Sequence, residues 1–220
     1  MPYLSGSGRN RTVVPWRFET WILTIVGLVP AALYFWYGAH DQLGADPVNV
    51  FERWLGLWAV RFLVLTLCIT PLRVMTGYSL LRYRRTLGLL AFWYACMHVA
   101  VYVGLDQRFD MPVLWRDMTR RPFLMIGFCA FILLVPLALT SATWAIRRLG
   151  RRWRTLHRLV YVVAVLASVH FLMAFKTYTP TSVGYAAALC GLVLWRGGHA
   201  LWHVRKRVRQ DGPRQGTVLK

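Results

Sequence analysis

The chain has 220 residues, 57% of them hydrophobic and 15% aromatic, with a formal net charge of +19 at pH 7. Its apolar residues come in runs of about 20, long enough to cross a bilayer as helix, which excludes a soluble domain built on short periodic stripes. The basic residues fall mostly in short segments between those runs, where they set membrane orientation; this excludes a nucleic-acid platform and makes anionic lipid headgroups the expected counter-charge.

One domain covering residues 1–220 is predicted, all-α and polytopic, with six transmembrane helices at roughly 19–39, 54–72, 86–105, 122–141, 156–175 and 181–202. The opening stretch MPYLSGSGRNRTVVPWRFE has no leading apolar core and no small-residue cleavage site, so the first apolar run is expected to stay as an anchor. Arg9, Arg11 and Arg17 precede that run, which contains Pro30. The loop HDQLGADPVNVFER then sets Asp41, Asp46 and Glu52 against Arg53. The second run carries Arg61 in its interior and Pro71 near its end, and Arg73, Arg82, Arg84 and Arg85 follow. The third run holds His98, and the mixed-charge loop DQRFDMPVLWRDMTRR leads to the fourth, which holds Pro136. Membrane helices tolerate such prolines where neighbours satisfy the freed carbonyls. The segment RRLGRRWRT has five arginines and no acid. The fifth run opens at His157 and holds His170; after Lys176 the sixth holds Arg196 and His199 and ends near His203, followed by Arg205, Lys206, Arg207 and Arg209. This alternation predicts both termini and the second and fourth loops in the cytoplasm.

Cys68, Cys96, Cys129 and Cys190 lie in four different runs with no CxxC spacing, and read as small apolar residues rather than a disulfide or zinc framework. No GxGxxG or Walker A pattern is present, so no nucleotide-binding domain is expected; electrons, if carried, come from a partner or a diffusible donor.

The histidines carry the chemistry. His98 lies twelve residues into the third run and His170 thirteen beyond His157, which places both imidazoles roughly 18–20 Å from the cytoplasmic end. An imidazole in hydrocarbon is costly without a partner, and two at one depth on neighbouring helices are what a bis-imidazole haem requires. The competing reading of each is a core imidazole hydrogen-bonded to a carbonyl or hydroxyl. On an ideal helix His157 and His170 point about 140° apart, so they do not face one partner without rotation or a kink. His157 reads as a ligand to a second, inner haem, as a contact to a flavin or quinone headgroup, or as an interfacial histidine among arginines. Its counterpart on the third run is Arg84 or Arg85, neither of which ligates iron. Arg61 in an apolar run demands an anion, such as a haem propionate, or snorkels to the headgroups. Arg53 is a second anion partner, and Arg196 snorkels inward. His40, His199 and His203 fit interfacial solvation. Trp93, Tyr94, Tyr102, Trp153, Tyr161 and Phe171 flank the path between the histidines, as porphyrin contacts or as ordinary helix packing.

LGADPV at 43–48, RRTLGLLAFWYACMHVAVY at 84–102, RRPF at 120–123 and LGRRWRTLHRLVYVVAVLASVHFLMAFK at 149–176 together resemble the MsrQ (YedZ) family of haem-binding membrane subunits, within the ferric-reductase-like transmembrane superfamily. The resemblance runs from the first helix to the end of the sixth. It implies b-type haem, one or two per chain, with His98 and His170 as axial ligands and a functional His157. It also implies bound FMN, at a site that cannot be carried over by residue. The expected activity is electron transfer across the bacterial inner membrane to a periplasmic molybdopterin enzyme, MsrP, which reduces methionine sulfoxide in oxidised proteins. No methionine sulfoxide site is expected in this chain, which serves as an electron-transfer subunit of the oxidoreductase system. Donors would be a cytoplasmic flavin reductase or membrane quinol near His157, and the exit would be LGADPV or the 106–121 segment. The superfamily's four-histidine pattern is not fully met, since Arg84 and Arg85 hold the missing ligand's place. The rivals are a metalloreductase of the same superfamily, a small transporter with histidine proton relays, and a haem-free scaffold.

Overall fold

The computed structural model describes residues 16–175 and 179–210, without the side chains of Trp16, Arg17, Ala200, His203, Val204 and residues 206–210. The expectations placed on Arg9, Arg11, Arg17, Lys176, His203, Lys206, Arg207, Arg209 and the two chain ends therefore lie outside the described residues. All described regular structure is helical: α1 Trp16–Ala39, α2 Pro47–Thr76, a 3-10 turn Leu81–Tyr83, α3 Arg84–Val101, α4 Met111–Arg120, α5 Pro122–Leu139, α6 Thr143–Leu149, α7 Arg151–Leu156, α8 Leu159–Met173 and α9 Pro180–Gln210.

Five stretches are long and apolar enough to cross a membrane: Phe18–Ala39, Pro47–Thr76, Leu81–Asp106, Pro122–Leu139 and Arg151–Met173. Their outward faces carry large apolar side chains, among them Trp21, Ile25, Phe35, Trp93 and Ile132, each at least half exposed to the bundle's surroundings. The protein is thus a polytopic helical membrane protein. The expected sixth span corresponds to α9. It is 31 residues long but is not among those five stretches, because glycines, Arg196 and His199 dilute its apolar side chains.

Local signals explain the ends. Gly44, at φ 85°, supplies a left-handed turn after α1. Asp46 accepts a hydrogen bond from the Asn49 amide at 3.2 Å, and Pro47 opens α2, where no amide donor is needed. This starts α2 seven residues before the predicted 54. Gly77, also left-handed, closes α2 through its amide to the Arg73 carbonyl. The predicted loops also hold helices. Asp110 caps α4 through the Val113 amide at 3.0 Å, and α6 and α7 flank Gly150 in the arginine-rich segment. After Val101, α3 widens into a π segment, Tyr102–Asp106.

The main packing pairs are α2 with α3 and α5 with α8; α9 fills the groove between α8 and α2, and α1 leans on α3. Tyr94, fully buried, ties α1 down. Its hydroxyl donates to the Gly27 carbonyl at 2.8 Å and accepts from the Ala31 amide at 3.2 Å. Those groups flank Pro30, so the tyrosine serves backbone atoms disturbed by the proline ring. The bundle has two chemically distinct ends. Asp41, Asp46, Glu52, Asp106, Asp110 and Asp117 lie towards one, while the other carries Arg82, Arg84, Arg85 and the arginines of α6 and α7.

Candidate cofactor site

His98 on α3 and His170 on α8 meet towards the acid-bearing end, with ring centroids 6.3 Å apart and ring planes 72° to one another. The Nδ1 of His98 lies 2.9 Å from the Glu52 carbonyl oxygen, and that of His170 lies 2.8 Å from the Phe123 carbonyl oxygen. A carbonyl only accepts, so Nδ1 of each ring carries the proton and donates it. Nε2 is left as the lone-pair nitrogen of a neutral imidazole, the form that binds a metal.

The two contacts repeat one construction. Within its helix the Glu52 carbonyl faces the amide of Gly56, four residues on, and the Phe123 carbonyl faces that of Gly127. A Cβ on Gly56 would lie 3.3 Å from His98 Cε1 and Nδ1; one on Gly127 would lie 2.6 Å from the same atoms of His170. The missing side chains let each imidazole reach a helical carbonyl sideways and use its second lone pair. The paired residues are 46 and 47 apart in sequence, one set on α2 and α3 and the other on α5 and α8.

Both rings line a cavity of about 300 Å³ between these four helices. Small residues, including Ala59, Ala91, Ala95, Ala130 and Ala167, form much of its deeper wall, which leaves room for a flat apolar body. Leu114 and Met118 of α4 close over the other end. There the lining turns polar, with Glu52, Arg53, Tyr102, Asp106 and Arg121. Arg121 pairs with Asp117 at 3.7 Å, and the Arg53 guanidinium lies 5.8 Å from the Phe175 ring centroid. The Tyr102 hydroxyl is buried without a hydrogen-bond partner. Such an orphan group is costly unless a guest satisfies it.

No cluster of three or more His, Cys, Asp or Glu side chains suited to a metal occurs among the described residues. A metal between the two imidazoles must draw its other ligands from a guest. Haem would meet that requirement: the small-residue walls leave room for its macrocycle, His98 and His170 would hold its iron, and Arg53, Arg121 and the Tyr102 hydroxyl would take its carboxylates.

The remaining expected site residues are elsewhere. Arg61 does not line the cavity. Its Nε donates to the Tyr185 hydroxyl at 3.0 Å, and its guanidinium lies 4.8 Å from the Trp58 ring centroid. Among the described residues an aromatic face and a phenol are its partners. The cavity arginines are instead Arg53 and Arg121, the second of which sequence reasoning passed over inside RRPF. His157 lies at the arginine-rich end, its Nε2 3.2 Å from the Thr140 hydroxyl and its ring 4.1 Å from that of Trp153. Tyr102 and Phe171 line the cavity, while Trp93 faces outward and Tyr94 is engaged by α1. Gly56 and Gly127 were also missed; a glycine inside each apolar run ahead of a histidine was the available signal.

Residues 55–168 match the family described as ferric reductase like transmembrane component, a range that includes His98 and His157 and stops two residues before His170. The chain is 50% identical over 206 residues to the protein-methionine-sulfoxide reductase heme-binding subunit MsrQ of Brucella ovis, covering 94% of both chains. It is 50% identical over 208 residues to that of Brucella anthropi, again with 94% of both covered. The MsrQ of Brucella melitensis biotype 2 gives 50% over 206 residues and the same coverage.

Proposed function

The chain belongs to the ferric-reductase-like transmembrane family, within its MsrQ group, and from that membership we propose that it is a b-type cytochrome subunit carrying electrons across the inner membrane. The observation that carries this reading is the paired cradle, in which two helical carbonyls turn two imidazoles to face each other across one cavity. Haem bound there supplies reversible one-electron chemistry, and two imidazole ligands favour a low-spin centre suited to electron transfer. His98 and His170 hold the iron; Arg53, Arg121 and the Tyr102 hydroxyl take the carboxylates; Leu114 and Met118 shield the mouth from water.

In this reading α9 is the sixth span, the arginine-rich end is cytoplasmic together with both termini, and the cavity lies in the periplasmic half. Relatives named as heme-binding subunits of a protein-methionine-sulfoxide reductase support a periplasmic MsrP as the electron acceptor. The α4 segment and the LGADPV turn would form the surface it approaches. His157 marks the entry side for a cytoplasmic flavin reductase or membrane quinol. One haem is proposed, because Arg84 stands where a second inner ligand would be needed. FMN is proposed only from the family resemblance, with no residue assigned to it.

The test is a dithionite-reduced minus oxidised absorption spectrum of purified protein, with haem per chain, beside His98→Ala and His170→Ala. A b-type spectrum in the parent that is lost in both variants is expected. Haem retained in both would refute the ligands, and an absent chromophore in haem-replete cells would refute the function.

A further inference from the structure

The arginine-rich end holds two arginines that turn into the bundle. Arg84 opens α3 and Arg196 lies in the second half of α9; both are half-buried. Arg196 Nη1 donates to the Thr70 hydroxyl at 2.7 Å, and its guanidinium lies 5.5 Å from the Tyr161 ring centroid. Arg84 interacts with Tyr161 from α3, and its charge acts on both Arg196 and His157. Four helices, α2, α3, α8 and α9, therefore converge on two like charges, with only neutral partners between them.

No described carboxylate is available to them. Six of the described acids belong to the opposite end, and the seventh, Glu19, is committed to Arg82 at 3.2 Å and to the Tyr83 hydroxyl at 2.7 Å. Two guanidinium groups that share Tyr161 as a neighbour at the edge of a low-dielectric bundle are unfavourable unless an anion joins them. We propose that Arg84 and Arg196, with the hydroxyls of Thr70 and Tyr161, form an anion site that takes a phosphate group at the arginine-rich end of the bundle. Two forked donors from different helices suit an anion that offers several acceptor oxygens in different directions, which a phosphate does and a single carboxylate does less well. The phosphate can belong to an anionic phospholipid of the adjoining leaflet or to a soluble phosphate from the aqueous side. The site stands on these residues alone and does not depend on what occupies the cavity at His98 and His170.

The experiment is thermal unfolding of the full chain, purified with its bound cofactor and stripped of lipid. Phosphatidylglycerol, phosphatidylcholine or inorganic phosphate is added at matched ionic strength. The parent is compared with Arg84→Gln, Arg196→Gln and Arg147→Gln, the last an exposed arginine of the same end. Phosphatidylglycerol is expected to raise the parent's Tm by about 3 °C or more. Phosphatidylcholine is expected not to, and the shift should vanish in the first two variants and persist in the third. The same pattern with inorganic phosphate would assign the site to a soluble phosphate. A shift equal in Arg147→Gln and Arg196→Gln, or none with either anion, would overturn the proposal. Should Arg196→Gln fail to fold, Arg196→Lys keeps the charge and loses the fork, and an undiminished shift there would also overturn it. Native mass spectrometry of the parent gives a second readout: one retained anionic phospholipid supports the site, and none together with no phosphate-dependent shift refutes it.

Discussion

At the residue scale the cradle glycines are the most sensitive positions. A methyl group at residue 127 would meet the His170 ring at 2.6 Å, closer than such atoms pack, so the ring must shift. Gly127→Ala is expected to turn the imidazole off its carbonyl and reduce haem per chain to below about half of the parent value. Gly56→Ala, with a 3.3 Å approach to His98, should keep more haem and shift the spectrum less. Pyridine haemochrome quantification beside far-UV circular dichroism separates site loss from unfolding; equal haem content in all three proteins would sink the argument. The histidines were legible in the sequence because a polar ring in a long apolar run has few explanations. Their partners were not, because a main-chain carbonyl carries no residue identity and a glycine in a membrane helix is common. Arg61 meets the same limit: the sequence announces a buried cation but not what meets it, and among the described residues Trp58 and Tyr185 do.

At the element scale, the tie between α3 and α1 rests on one hydroxyl. Tyr94→Phe leaves the Ala31 amide and Gly27 carbonyl without it, beside a proline. The expected cost is about 1–2 kcal/mol. It should appear as a Tm lowered by a few degrees in detergent with an unchanged haem spectrum, since Tyr94 does not line the cavity. A changed spectrum with an unchanged Tm would contradict that assignment. Five of the six expected spans, and their order, were readable from runs of about 20 apolar residues. The short helices α4, α6 and α7 were not, because they lie in segments whose charge had already marked them as loops. Caps such as Asp110, and the flanking of Gly150, decide those cases only once tertiary packing supplies the apolar face.

At the scale of the whole molecule, charge separates the two ends, and the proposed topology rests on that separation. A cysteine in place of exposed Arg151 should react with a membrane-impermeant maleimide only in inverted vesicles, and one in place of Asp110 only in intact spheroplasts, in a background free of the four native cysteines. Labelling of both from one side would refute an arrangement in which these ends face opposite compartments. The overall charge pattern was fully legible in the sequence. That α9 gives up hydropathy to carry Arg196 to the Tyr161 face was not, because a charge near a helix end reads first as snorkelling.

The repeated cradle has a mechanical consequence. Each imidazole is fastened within one tightly packed helix pair, α2 with α3 or α5 with α8; the two pairs touch directly through the lighter contact of α3 with α5 and are bridged by α9. The 6.3 Å between the rings is therefore a dimension between two bodies, fixed by neither body alone. A bilayer that squeezes or tilts one pair against the other would change that gap while both cradles stay whole, so an iron held between the rings as proposed would be open to tuning by lateral pressure without any change of ligand.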